Sequence, residues 1–423
     1  MSLNKKGLLN MRKLLVVLLV LATVLTMFGC GGLGATKMLK INGTEITQFQ
    51  IVYPAAAGDD HAKQIAKDLA ERLSEKYGQE IVAVTDKEAA GAHEIIIGDT
   101  KRDVSGHAAK CKSVEQYSIS SDGTHVALTA GGHKGMASAV EEFFEMIGLD
   151  KTGKDSPTDV TIGAGKAKKS KLYSAMSFNI LYEYDEKRWP VVFDIILKYM
   201  PDTIGMQETT PEWNMYIPFV QKFTKYYEMI SFPYRDGNGG GTNEVICYRK
   251  DRFKLISKDT KWVSETPDEV SMVQGASLHR IINFAVLEDL ETGERIIHAN
   301  THLEHLVPQA NVAQIACLKN ILEKYRGKQI IVTGDFNAVH NDGDGLGSED
   351  TYFSDPKYHA DYATKRPTTG GNSAIDFCWT ARDTIDAKYY HVATEMMPTG
   401  DGNKKVQPSD HRPVFIVYDL IGN

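Results

Sequence analysis

The second half of this 423-residue chain repeats one arrangement: an apolar run that meets polar groups able to do chemistry. Asn179 follows "YSAMSF", Glu208 ends "IGMQE", His302 follows "IIHANT", Asp335 and Asn337 follow "IIVTG", Asp376 lies in "AIDFCW", and Asp410 and His411 precede "RPVFIVY". Any one of these acids alone would suit a turn or a helix cap. Six segments with the same habit point to one site. Carboxylates, amides and histidines, with no Ser in a GxSxG setting, no P-loop and no CxxC, suit a phosphoester. Its anionic oxygens repel a nucleophile until a hard cation neutralises them, and Mg²⁺ takes oxygen ligands from one or two carboxylates plus water. A carboxylate is ionised near neutrality, and a His can pass the proton.

These groups need a scaffold that brings strand ends together. "LYSAMSFNIL" and "DTIGMQE" read as strands, and further strands are expected over 244–248, 281–287, 295–300, 329–333, 375–380 and 414–418. "WPVVFDIILKYM" has Val192, Ile195, Ile196 and Tyr199 on one helical side, and a second helix is expected over 310–324. So many strands, alternating with helices, imply two packed sheets covered by helices. The period of two puts Ile204, Met206 and Glu208 on one face, and likewise Asp335 and Asn337, while Phe336 faces away to pack.

Two other metal sites compete for the same residues. His302 and His305, with His340 further along, could be taken for a zinc cluster, but HxxH at a strand end lacks the helical spacing of zinc hydrolases. "NDGDGLGSED", residues 341–350, carries acids that do not fit the calcium-loop spacing, so it is expected as a solvated loop facing the substrate.

"MSFNIL", "IGMQE", "NTHLEH", "VTGDFNAVH", "AIDFCW" and "PSDHRPV" resemble, in order, the motifs of the endonuclease/exonuclease/phosphatase superfamily with its DNase I-like fold. The resemblance covers residues 172–423 and implies a four-layer α/β sandwich, two mixed sheets flanked by helices, with the site at one end. It implies Glu208 as the main Mg²⁺ ligand, aided by Asn179 and Asp410, with Mn²⁺ or Ca²⁺ as alternatives. Asp335 would orient or deprotonate the attacking water, and Asn337, Asn179 and Arg280 would meet the phosphate. His302 and His411 would bind phosphate and manage protons, paired with Glu244 and Asp376 respectively. Which His is acid and which base stays open.

The rest of the chain sets the context. Lys5, Lys6, Arg12 and Lys13 precede the apolar run 14–28, with no acid before Glu45, which is the pattern of a secretory leader over residues 1–30. Gly29-Cys30 followed by Gly31-Gly32 resembles a bacterial lipoprotein processing site, which implies a protein outside the cytoplasmic membrane, secreted or held by a lipid on Cys30. Cys111, Cys247, Cys317 and Cys378 show no paired spacing, so no disulfide framework is expected.

Residues 37–150 read as a smaller α+β domain. A helix carries Ala62, Ile65, Ala66, Leu69 and Leu73 on one face, a hairpin turns at Asp122-Gly123, and a second helix runs from Met136 to Ile147. This order resembles the accessory domains of glycoside hydrolases, which implies a carbohydrate ligand, against a plain packing domain. Residues 151–171, rich in Gly, Lys, Ser and Thr, are expected as a linker.

From 171 to 423 there are 27 Lys plus Arg against 35 Asp plus Glu, a net of −8. That balance disfavours a nuclease gripping long DNA through a basic face. The expectation is a monomeric phosphodiesterase or phosphatase acting on a small, glycan-linked or lipid-linked phosphoester. An extracellular nuclease and a non-catalytic carbohydrate binder are the alternatives.

Overall fold

The computed structural model describes residues 37–422 apart from 56–59, 105–106, 151–156, 184–187, 211–216, 240–241, 341–344, 349–350, 395–396 and 399–404. The leader with Cys30 and much of the acidic loop 341–350 lie outside the described residues.

From Tyr173 onward the strands of the two main sheets are, in chain order, β1 Tyr173–Asn179, β2 Thr203–Thr209, β3 Tyr227–Ile230, β4 Asn243–Arg249, β5 Phe253–Trp262, β6 Ile281–Asp289, β7 Arg295–His302, β8 Ile330–Asp335, β9 Phe353–Ser354, β10 Tyr362–Ala363, β11 Asp376–Ala381, β12 Ile385–Val392 and β13 Val414–Leu420. They form a seven-stranded sheet in the order β3-β4-β2-β1-β13-β12-β10 and a six-stranded sheet in the order β5-β6-β7-β8-β11-β9. Ala175, Ile246 and Ile416 of the first sheet meet Leu287, Ile296, Ile331 and Cys378 of the second in one buried cluster.

Helix α1, Trp189–Tyr199, covers the outer face of the first sheet. Its Val192, Ile195, Ile196 and Tyr199 bury against Met176, Phe178, Ile204 and Met206, on the side the 3.6-residue spacing assigned. Pro308–Glu323 forms α2, which sets Ile315, Leu318 and Ile321 on Phe284, Val332 and Trp379 of the second sheet. Helix, sheet, sheet, helix is the expected four-layer sandwich.

The interface between the sheets also contains a polar layer behind the strand ends. Asn300 of β7 is fully buried, and its Nδ2 donates to the carbonyls of Met206 and Val245 in the opposite sheet, at 2.9 Å each. Its Oδ1 accepts from Gln207 Nε2 at 2.7 Å and from Thr333 Oγ1 at 3.0 Å. His298 bridges the Thr203 and Thr333 hydroxyls at 2.8 and 2.9 Å. Buried groups bonded across the interface in this way fix how two sheets sit together. Gly205 is required there, because a Cβ at that position would lie 1.9 Å from Thr333 Oγ1 and 2.6 Å from Asn300 Oδ1.

Residues before 171 form a six-stranded sheet with two helices, Asp60–Tyr77 and His133–Met146. The expected linker is not a free span: Asp159–Val160 pairs with Lys40–Ile41, and Lys168–Lys169 pairs with the strand at Gln116–Ser121. Backbone pairing with the sheet outweighs the local preference of a Gly- and Lys-rich stretch for an irregular path.

This part meets the sandwich through buried polar contacts. Lys134 is 1% exposed and donates to Asp202 at 2.8 Å, and Glu115 bridges Lys134 and Arg249. Burial alone would raise Asp202, but Arg252 and Lys134 outweigh it and hold the carboxyl down to about 2. His61 and His133 both meet the Tyr389 hydroxyl of β12. Among the described residues the cysteines Cys111, Cys247, Cys317 and Cys378 are free.

Candidate active site

Strand register assembles the centre of the site. His302 and Asp335 end neighbouring parallel strands as Cα partners, and Asp335 is in turn the partner of Asp376, the first residue of β11. Three adjacent strand ends thereby place three chemical groups in a row. His411 joins them because the segment before β13 is tied to the loop before β11. Thr369 bridges His411, Arg412 N–H donates to the Thr368 carbonyl at 2.6 Å, and Thr368 Oγ1 accepts from the N–H of Ile375 and of Asp376 at 3.0 and 3.2 Å.

Asp335 is 1% exposed and sits between two imidazoles: its Oδ2 is 3.5 Å from His302 Nε2 and 3.6 Å from His411 Nε2. His411 Nδ1 donates to both Asp376 oxygens, at 3.0 and 2.9 Å, which orients the ring so that Nε2 faces Asp335. Burial, reinforced by the neighbouring Asp376 charge, pushes the Asp335 carboxyl up to about 7. Burial would lower His411, but its hydrogen bond to Asp376 and that carboxylate's charge prevail and push it up to about 10. His302 goes the other way: burial, then Arg280 and His411, hold it well below the usual imidazole range. The two histidines therefore differ in charge at neutral pH, one cationic and one neutral.

Asn179, 1% exposed at the end of β1, links this group to Glu208. Its Nδ2 donates to Glu208 Oε1 and to Asp335 Oδ2, both at 3.0 Å, while its Oδ1 accepts from Leu181 N–H at 3.0 Å. In this arrangement Asn179 positions two carboxylates and does not offer its oxygen outward. Glu208 departs from simple alternation. The pairing of β2 with β4 shifts between Met206 and Thr209, and Glu208 has φ 63, so a bulge aims the carboxylate rather than the strand's period of two.

Asn337 likewise leaves the strand face assigned to it. β8 ends at Asp335, and Asn337 takes φ 50, which Asn tolerates well. Its N–H donates to Asp335 Oδ1 at 2.9 Å and its Nδ2 to the Leu303 carbonyl at 3.1 Å. Phe336 packs inward as expected, fully buried against Phe377 and Trp379.

Glu244 does not form the expected hydrogen bond with His302. Both its carboxylate oxygens and His302 Nδ1 are buried without a hydrogen-bond partner among the described residues. Burial, only partly offset by Arg280 and Arg235, pushes Glu244 up to about 7. Arg280 is 2% exposed beside it. Asp410 is exposed, accepts from Ser409 Oγ at 3.2 Å and adds its charge to His411; it does not join the tight cluster. His305 is 42% exposed and bonded to Arg280, and His340 packs on Phe336 and Phe377, so the three histidines do not converge as a zinc site.

The donor set suits a hard cation. Glu208 and Asp335 accept from one shared amide, and neither makes an ion pair with Lys or Arg among the described residues. Asp335, Asp376 and His411 also bring ligand atoms within 4.8 Å of one another. Since His411 Nδ1 already occupies both Asp376 oxygens, that trio is better suited to proton handling, and the Glu208 carboxylate to a metal.

The model of the Endonuclease/Exonuclease/phosphatase family matches residues 176–411, which runs from β1 to His411 and takes in Asn179, Glu208, Glu244, Arg280, His302, Asp335, Asn337, Asp376, Asp410 and His411. The chain belongs to this family. Members of the endonuclease/exonuclease/phosphatase family are hydrolases of phosphoester bonds and generally depend on a divalent metal. No curated protein matches the chain.

Solved structures share the fold. A family protein from Bacteroides thetaiotaomicron is 24% identical with a TM-score of 0.52, covering 59% of this chain and 97% of its own. A mannosyl-6-phosphatase from the same organism is 24% identical with a TM-score of 0.51, covering 59% and 99%. A family protein from Bacteroides vulgatus is 22% identical with a TM-score of 0.51, covering 59% and 100%.

Three positioning residues carried no sequence signal of their own. Arg188, 7% exposed, donates to the carbonyls of Leu181 and Pro408, both at 2.9 Å, and so joins the turn after Asn179 to the approach to Asp410. Thr368 holds the loops of Asp376 and His411 together, and Asn300 fixes one sheet on the other. Each acts through main-chain carbonyls or amides, which a motif does not display.

Proposed function

We propose that this chain is a secreted or lipid-anchored, Mg²⁺-dependent phosphoesterase that hydrolyses a small, glycan-linked or lipid-linked phosphoester by direct attack of water. The observation that carries it is Asp335 held between a neutral His302 and a cationic His411, with Asp376 fixing the latter. Glu208, positioned by the Asn179 amide and with Asp410 at the rim, would hold the cation, which would neutralise charge on the phosphate when bound.

The protein groups then divide the work. Asp335, raised to about 7, is a fit general base for the water whose oxygen attacks phosphorus. His411, kept protonated by Asp376, is placed to donate a proton as the ester P–O bond breaks and the alcohol leaves. His302 and Arg280 hold phosphate oxygens. Two imidazoles pushed apart in charge support His411 as the acid, a choice the motif order left open.

The net charge of −8 over residues 171–423 favours a small substrate over a long nucleic acid. The fold is shared with a mannosyl-6-phosphatase, which puts sugar phosphates in the first assay panel.

The test uses purified protein with Mg²⁺ or EDTA on phosphomonoesters, phosphodiesters, RNA and plasmid DNA. Turnover of small esters that stops in EDTA is expected. Metal-dependent DNA cleavage lost in His302→Ala would move the chain to the nucleases, and tight glycan binding with no turnover would make it a binder. For the location, fractionated cells should hold the chain in the membrane fraction and release it when Cys30 is replaced by Ala. A chain that stays in the cytoplasm would overturn that part.

A further inference from the structure

Around His302 the site carries basic groups that the catalytic cycle above leaves partly unused. Arg280 is 2% exposed, yet its Nε and Nη1 meet no hydrogen-bond partner among the described residues. Nη2 alone is engaged, 3.2 Å from His305 Nδ1. A guanidinium can only donate, so His305 Nδ1 accepts and the proton of the neutral ring sits on Nε2. His305 is 42% exposed, and so it offers a donor at the mouth of the site.

This geometry is braced from behind by Glu304, which is 1% exposed. Its carboxylate accepts from Ser277 N–H and Oγ at 2.9 and 2.6 Å, and from the N–H groups of His305 and Leu306 at 3.0 and 2.8 Å. One buried carboxylate thus ties the loop that leads to Arg280 to the turn that presents His305.

Arg235 adds a second guanidinium. Trp262 Nε1 donates to its carbonyl at 2.9 Å, which fixes the main chain, while its half-buried side chain makes no hydrogen bond or ion pair among the described residues. It lies within charge range of Arg280, Glu244 and His302. Glu244, Glu304 and Asp335 all act on Arg280 by charge, but none of them hydrogen-bonds its guanidinium among the described residues, and Glu304 is already engaged by Ser277, His305 and Leu306. The unbonded N–H groups of the buried Arg280, with Arg235 beside them, suit a partner with more than one negative charge and several acceptor oxygens.

We propose that Arg235, Arg280 and His305 form a cradle for a terminal phosphoryl group, so that the site selects phosphomonoesters over phosphodiesters. A monoester near neutral pH carries two charges and three terminal oxygens, which two guanidinium forks and one imidazole donor match. A diester carries one charge, and its second ester arm occupies the place of the third oxygen. The inference rests on the phosphoesterase assignment and adds Arg235 and His305 to the Arg280 that the family resemblance already implies.

The experiment compares initial rates on 4-nitrophenyl phosphate and bis(4-nitrophenyl) phosphate, with Mg²⁺, for the wild type, Arg235→Ala, Arg235→Lys and His305→Ala. The wild type is expected to favour the monoester. Losing one charge-assisted contact gives Arg235→Ala and His305→Ala a fall in kcat/KM of roughly tenfold or more on the monoester, mostly through KM, with about threefold or less on the diester. Arg235→Lys recovers part of the loss.

Thermal melts with inorganic phosphate read the same cradle without turnover: phosphate raises the wild-type Tm and leaves Arg235→Ala unmoved. A diester preference, an equal loss on both esters, or an equal phosphate shift in Arg235→Ala overturns the cradle while leaving the phosphoesterase assignment intact. No turnover of either ester, with no phosphate shift, overturns both.

Discussion

Replacing Asp335 by Asn is expected to abolish activity and, in the absence of metal, to make the protein more stable. The native state raises this carboxyl from 3.8 to about 7, so folding at neutral pH holds an ionised group where the neutral form is preferred. At 1.36 kcal/mol per unit, a shift of about three units is a penalty of about 4 kcal/mol at most. Asn keeps an acceptor for Asn337 N–H, but its amide faces the Asn179 amide, and losing that hydrogen bond costs about 1 kcal/mol. The net gain is therefore about 1 to 3 kcal/mol.

The sign fixes the pH window. Because the folded value is raised, the wild-type penalty is absent below about pH 4 and grows as pH rises to about 7. Thermal midpoints of both proteins in EDTA, taken from pH 4 to 8, should diverge in favour of Asp335→Asn as pH rises, and Mg²⁺ should then stabilise the wild type more than the variant. A variant less stable than the wild type at pH 7.5, or a gain that ignores pH, would refute this argument.

Other consequences follow from the same structure. Asp376→Asn removes the charge that keeps His411 protonated, so the high-pH limb of the rate profile should move down by two units or more, toward the unperturbed value near 6.5; an unmoved limb would separate His411 from that limb. Gly205→Ala should cost about 2 kcal/mol or more, since its Cβ would overlap Thr333 Oγ1, and Thr333→Ala in the same chain should return part of it in chemical denaturation. Burial lowers His298 to about 3, so its contribution is present above the unfolded value near 6.5 and lost as pH falls. By pH 5 this costs about 2 kcal/mol, and replacing His298 by Gln should flatten that slope of the stability curve.

Much of this was written in the local sequence, and what was not has a physical cause. Apolar runs ending in Asn179, His302 and Asp335 gave the strands and the shared edge, because a strand's burial pattern is local and its end is where polar groups become permissible. The helix face of Val192, Ile195, Ile196 and Tyr199 was legible for the same reason.

Alternation misplaced Glu208 and Asn337, which owe their direction to left-handed backbone at a bulge and a turn. Such features depend on how two strands pair, not on the residues of one. The Glu244–His302 pair was expected from motif order, yet both Glu244 oxygens and His302 Nδ1 lack a hydrogen-bond partner among the described residues, because their distance is set by how β4 and β7 sit in different sheets. Residues 151–171 looked like a linker because their composition carries no apolar pattern, while edge pairing through main-chain groups needs none. Arg188, Thr368 and Asn300 bind main-chain atoms brought close only by the completed fold.

The most direct test of the central claim is the rate of phosphoester hydrolysis with Mg²⁺ and with EDTA for the wild type, His302→Ala and His411→Ala, each checked for an unchanged thermal midpoint. The account predicts turnover that requires the metal and falls by about a hundredfold or more in each folded variant. Metal-independent turnover, or a folded His411→Ala protein with wild-type kcat, would contradict it.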